Sequence, residues 1–196
     1  LQKEIVWNDP ATKARTPLAL VYVHGFSASK GEVRPLPDIV ARELEANLFY
    51  TRLTGHGQDG PAMATATVKA WVNDFAEATA IGRAIGDEVI VMATSTGGGI
   101  TVWAAANRPE LMERVKALVL LSPNLGVQAA GAWVLTKPWG GVLADWQTGG
   151  TRGFQTGNGL QAQYWTEQYP TAATLPMAAI TELAAASAVE DVRIPA

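Results

Sequence analysis

Residues 88–107 read EVIVMATSTGGGITVWAAAN, and their order decides the fold. Glu88 to Ala93 form a short apolar, β-branched run, and a run of that length followed by glycines predicts a fully buried strand. Ile100 to Ala106 predict a helix that stops near Asn107, Arg108 and Pro109, because proline cannot continue helical geometry. Ser95 therefore stands at a strand-to-helix corner. Ala93, two residues before it, and Gly97, two residues after it, are small enough to leave room for a tight bend.

A serine in that position matches the nucleophile elbow, in which a sharp turn lifts the hydroxyl above the sheet; here alanine stands where the motif has its first glycine. The chemistry follows from the helix. Its first N–H groups have no intrahelical partner and carry partial positive charge, so an oxyanion forming beside Ser95 would be stabilised there. The Thr96 N–H is the expected donor. The competing reading is a glycine-rich turn that cradles a phosphate. Against it, Gly97, Gly98 and Gly99 do not give G-x-G-x-x-G, no Gly-Lys-Ser/Thr follows, and the turn is not the first in the chain.

Working outward, Leu18 to Val23 is a second unbroken apolar run, ending abruptly at His24, Gly25 and Phe26. Lys3 to Trp7 predicts a short edge strand and Asn47 to Thr51 a third strand before the turn-rich segment from Leu53 to Gly60. Pro35 to Glu45 predicts a helix, with Pro37 in its first turn and Leu36, Ile39, Val40 and Leu44 on one face. Thr67 to Ile85 carries Val68, Trp71, Phe75, Ala78, Ile81 and Ile85 at steps of three and four, the stripe of an amphipathic helix. Arg114 to Leu121 predicts a further strand. Strands alternating with helices predict an α/β fold with a doubly wound, mostly parallel sheet. Ligands on such sheets bind at the carboxyl ends of the strands, where Gly25 and Ser95 both fall. Residues 1–125 thus read as core. Over 126–190 the texture changes: Trp133, Trp139, Trp146 and Trp165 stand among glycines, threonines and glutamines, and 160–169 and 175–188 look helical. This segment reads as a cap inserted into the core, whose tryptophans either pack it down or contact an apolar substrate.

The 196 residues, 48% hydrophobic, suffice for one cored domain. With no cysteine there is no disulfide, thiol catalysis or cysteine-ligated zinc, and the compartment stays open, the cytoplasm being favoured. A net charge of -3 without a basic cluster argues against a nucleic-acid partner. No apolar run approaches the roughly 20 residues of a membrane helix. The chain begins at Leu1 rather than methionine, so an upstream tag, signal or anchor is not excluded. Nothing in the sequence requires a metal or an organic cofactor.

Three features together resemble the α/β-hydrolase superfamily, in the manner of bacterial carboxylesterases, monoacylglycerol lipases and lysophospholipases. They are the His24-Gly25-Phe26 loop, the Leu53-x-Gly55-His56-Gly57 turn and the Ala93-x-Ser95-x-Gly97 elbow, in that order. The resemblance implies a serine hydrolase that cleaves carboxylic esters with an apolar acyl or alcohol part. Ser95 would attack the acyl carbonyl, Phe26 and Thr96 would supply the oxyanion-hole N–H groups, Gly25 would permit close backbone approach and His24 would brace the turn. In this superfamily the acid and then the histidine follow the serine. The only histidines, His24 and His56, precede it. His56, between two turn glycines, reads as structural, although triads of other folds occur in other chain orders. Asp145 and Glu167 are acids that nothing marks as triad members.

Residues 191–196 resemble the entry to a next core strand, so a missing C-terminal segment or a second chain is expected. Two other readings are a non-catalytic protein that binds an apolar ligand on the same scaffold, and a nucleotide-binding α/β domain. An unpaired apolar edge at the strand ending at Leu121 is an aggregation hazard. Residues 1–196 alone are therefore expected to aggregate, and a monodisperse, cooperatively melting monomer in light scattering and thermal unfolding would contradict this.

Overall fold

The computed structural model describes residues 1–126 and 132–196; part of the expected cap, with the Trp133 side chain, lies outside the described residues. Five strands form the main sheet: β1 (Glu4–Val6), β2 (Thr16–Val23), β3 (Asn47–Tyr50), β4 (Gly86–Thr94) and β5 (Val115–Leu121), in the order β1-β3-β2-β4-β5. All pairings are parallel except that of β1 with β3. The α/β, mostly parallel sheet expected from the alternation of elements is what forms, and β1 is the edge strand that Lys3 to Trp7 predicted.

Period-two alternation along the central strands sorts their side chains onto two cores. On one face Val21, Val23, Val89, Val91 and Ala93 meet Trp71, Phe75 and Ala78 of α2 (Val68–Ile85), Ile100 and Ala104 of α3 (Thr96–Asn107), and Ile180 of α6 (Thr174–Ala185). On the other, Leu20, Tyr22, Leu48, Tyr50 and Met92 meet Ala41 of α1 (Leu36–Glu43). Both faces are covered, so β2 and β4 are continuous apolar runs. Thr67 caps α2 by accepting a hydrogen bond from the Ala70 N–H at 3.0 Å.

Three expectations change. In α1 the buried residues are Pro37 and Ala41, while Leu36, Ile39 and Leu44 stay exposed; small residues let the helix approach the sheet, and the larger ones flank the contact. The helix after Ser95 begins at Thr96 rather than Ile100, taking Gly97, Gly98 and Gly99 into its first turn. Over 160–169 the helix α5 (Gly159–Tyr164) covers only the first half, and Gln168–Pro170 (β7) pairs antiparallel with Thr151–Gly153 (β6). Tyr169 and Pro170 suit extended backbone better than a helix interior. The helix α4 (Gly140–Thr148) precedes that hairpin, with Trp139 78% and Trp146 85% exposed. β5 has β4 on one side, and its Leu118 N–H donates to the Pro195 carbonyl at 2.8 Å.

The amino ends of the strands are tied by Asn47, whose side chain is fully buried. Its Oδ1 accepts from the Asn8 N–H at 2.9 Å, and its Nδ2 donates to the Ala14 and Ile85 carbonyls at 2.8 Å each. Removing it takes a partner from one donor and two acceptors, of which the Ile85 carbonyl lies in the interior. Asn47→Ala is expected to cost about 2 to 4 kcal/mol, read as a lowered urea midpoint with an unchanged slope.

Candidate active site

Ser95 lies between the end of β4 and the first residue of α3, with φ 49° and ψ -115°. A non-glycine residue at positive φ with such a ψ costs on the order of 1–3 kcal/mol, and surrounding contacts have to hold it. They are explicit. The Ser95 N–H donates to the Leu121 carbonyl at 3.1 Å, and the Ser95 carbonyl accepts from Gly99 at 3.0 Å and Asn124 at 2.8 Å. The side chain is partly exposed, and no described residue hydrogen-bonds its hydroxyl.

Two glycines fit the corner to the loop after β2. A side chain at Gly97 would strike the Val23 and His24 carbonyls, the latter at 2.6 Å. One at Gly25 would stand 2.6 Å from Glu32 Oε1 and 3.1 Å from Ser95 Cβ. The glycine loop and the serine corner are thus in direct contact, as their places at two strand ends predicted. Thr96 is the first residue of α3, so its N–H has no acceptor within the helix. The Phe26 N–H has no described partner either. Both donors expected of an oxyanion site are therefore unspent.

The two histidines sit beneath this loop. His24 is fully buried; its Nε2 accepts from the Leu53 N–H at 3.1 Å, which leaves the proton on Nδ1, 2.8 Å from the Gly25 carbonyl. Burial, with His56 nearby, lowers its pKa to about 3. His56 is also buried, its Nδ1 3.2 Å from the Thr54 carbonyl and its Nε2 without a described partner, and burial lowers its pKa to about 4. Their ring centroids are 5.0 Å apart, and Phe26 and Trp71 pack edge-on or tilted against His56 at 5.7 Å each. Neither imidazole hydrogen-bonds Ser95.

Residues 164–169 reach the same loop. The Thr166 N–H donates to the Ser27 carbonyl at 2.7 Å, Ser29 Oγ donates to the Tyr164 carbonyl at 2.9 Å, and Tyr169 meets Phe26 edge-on at 5.1 Å. Elsewhere a groove of about 660 Å³ lies between α4 and the start of α6, lined by Val142, Asp145, Trp146, Ala172 and Leu175 among others. Asp145 stands there rather than beside Ser95. Glu167 accepts hydrogen bonds from the Thr156 N–H and hydroxyl. Among the described residues no acidic or histidine cluster could hold a metal ion, and no helix is long and apolar enough to cross a membrane.

Sequence reading missed Glu32, Tyr22 and Thr94. The Tyr22 hydroxyl lies 2.8 Å from Glu32 Oε2 and 3.0 Å from Thr94 Oγ1, and Glu32 Oε2 also accepts from the Gly25 N–H at 2.8 Å. The available signal was a tyrosine in an otherwise aliphatic buried strand, because a buried phenol needs a partner for its O–H.

Residues 15–174 match the sequence profile of a family described as serine aminopeptidase, S33. The thermostable monoacylglycerol lipase of Bacillus sp. (strain H-257) is 26% identical over 103 residues, 53% of this chain and 41% of the lipase. The chain thus spans about two-fifths of that curated relative's length. A structure of the metagenome-derived lipolytic enzymes LipS and LipT superposes with a TM-score of 0.69 at 21% identity, covering 93% of this chain and 69% of its own. The monoacylglycerol lipase of Paleococcus ferrophilus gives 0.65 at 14% identity, covering 100% and 75%. At these identities the solved structures speak for the fold.

Two neutral imidazoles in the interior have a consequence in acid. Their folded pKa values lie below the ordinary value of 6.5, so between those limits the unfolded chain binds more protons than the folded one. The stability they preserve is complete above about pH 6.5 and falls as pH drops towards the folded values. Between pH 7 and 5 the loss is expected to reach about 2 kcal/mol per ring, measured as a falling urea midpoint; a flat profile over that range would contradict it.

Proposed function

The chain belongs to the serine aminopeptidase S33 family and has the α/β-hydrolase fold of lipases and esterases, and from that premise we propose that it is a serine hydrolase cleaving carboxylic esters through an acyl-enzyme on Ser95. The observation that carries this reading is the backbone of Ser95: φ 49° at a strand-to-helix corner, with the unspent N–H groups of Phe26 and Thr96 belonging to the two segments that meet there. Ser95 Oγ attacks the acyl carbon, and the hydroxyl proton passes to a base. The tetrahedral oxyanion takes hydrogen bonds from Phe26 and Thr96, each worth about 2.7 to 4 kcal/mol in the transition state. The alcohol departs with a proton, and water then releases the acid and restores Ser95.

His24 and His56 are held in the interior, so the base in this reading is a histidine from outside residues 1–196, on a following segment or a second chain. Residues 126–190 are assigned as the cap, with α6 anchoring it to α3. Similarity to a monoacylglycerol lipase supports an apolar acyl or alcohol part. The occupation of both imidazoles by burial also favours a second reading, a non-catalytic protein that holds an apolar ligand on this scaffold.

In the full natural chain a fluorophosphonate probe is expected to label Ser95, and Ser95→Ala to remove labelling and lower hydrolysis of p-nitrophenyl esters by at least about 10³-fold. Turnover unchanged in that variant would end the acyl-enzyme reading, and absence of both labelling and turnover in the native protein would favour the binding one. Aminoacyl anilides assayed alongside separate ester from amide specificity.

A further inference from the structure

Glu32 carries a carboxyl whose partners lie on separate segments. Its Oε2 accepts from the Gly25 N–H and from the Tyr22 hydroxyl, at 2.8 Å each. Since Tyr22 spends its one proton on Glu32, the 3.0 Å contact between Tyr22 and Thr94 has the Thr94 hydroxyl as donor. Thr94 adjoins Ser95. Glu32 Oε1 stands 2.6 Å from where a side chain on Gly25 would begin, a point itself 3.1 Å from Ser95 Cβ. The Gly25 residue is buried, and glycine is the residue freest to reorient. Deprived of its acceptor, a buried N–H is penalised enough to favour rotation of the loop towards another partner.

We propose that Glu32 is a positioning residue for the reaction assigned to Ser95. It holds the Gly25 N–H so that the adjoining Phe26 N–H stays aimed at the oxyanion, and through Tyr22 and Thr94 it keeps the glycine loop and the serine corner at one spacing. Burial raises the Glu32 pKa, while the Gly25 and Tyr22 hydrogen bonds work against that rise. The function asked of the carboxyl is to accept hydrogen bonds, which glutamine can also do. The inference rests on the acyl-enzyme reading above.

The test compares Glu32→Ala, Glu32→Gln, Tyr22→Phe and Ser95→Ala in the full natural chain, measuring kcat and KM on a p-nitrophenyl ester and the rate of fluorophosphonate labelling. Glu32→Ala is expected to lower kcat and the labelling rate by about 10- to 100-fold, the cost of a misplaced reacting group, with KM within about threefold. Glu32→Gln, which keeps an acceptor, restores most of that loss, and Tyr22→Phe falls between. Wild-type turnover in Glu32→Ala, a loss confined to KM, or Glu32→Gln as impaired as Glu32→Ala overturns the proposal. Should Glu32→Ala fail to fold, Tyr22→Phe decides: lowered kcat with unchanged KM supports the proposal, and wild-type kcat overturns it. Unchanged turnover in Ser95→Ala removes the acyl-enzyme reading itself, a result distinct from all of these.

Discussion

Val23 lies opposite Ala93 in the parallel ladder between β2 and β4, and that register governs everything above it. Because the two strands end level, the loop that leaves β2 and the corner that leaves β4 emerge side by side. A slip of one residue would turn every buried side chain of β2 towards the wrong core. Ala19 to Val23 are all fully buried, so the register is fixed by apolar burial on both faces. The meeting of Gly25 with Ser95 is then a consequence of hydrophobic sorting along strands far longer than the site.

The two ends of the sheet have different tasks. At the amino ends Asn47 gathers three backbone groups from separate segments and leaves no unmet polar atom on its side chain. At the carboxyl ends backbone donors stay free and Ser95 is held at a positive φ. A strained, incompletely satisfied end is tolerable only because the rest of the sheet is well packed. The loop that receives residues 164–169 belongs to this second end and is joined to them by Ser27, Ser29 and Phe26.

What could be read from the sequence followed from periodicity and from small residues at a bend. The run from Glu88 to Ala93, the stripe from Trp71 to Ile85 and the placing of Ser95 and Gly25 at neighbouring strand ends are all recorded locally in residue order. The glycines at 97–99 were harder to place. Isolated, they favour a turn; in the folded chain their missing side chains make space for the Val23 and His24 carbonyls, Pro123 and the Asn124 carbonyl, contacts that local order does not encode. The hairpin of β6 and β7 joins segments separated by α5 and shows no alternation. Glu32 was invisible for a similar reason: its partners come from β2, the glycine loop and, through Tyr22, the end of β4.

The corner also treats its two small flanking residues unequally. Ala93 keeps a methyl group inside the main core, whereas Gly97 has no room for one because main-chain carbonyls occupy the space. A carbonyl cannot adopt another rotamer to make way, as a side chain can. Over generations of mutation, then, position 93 has somewhere to go and position 97 does not: drift at the first can be absorbed by repacking, while drift at the second demands a new path for the chain leaving β2.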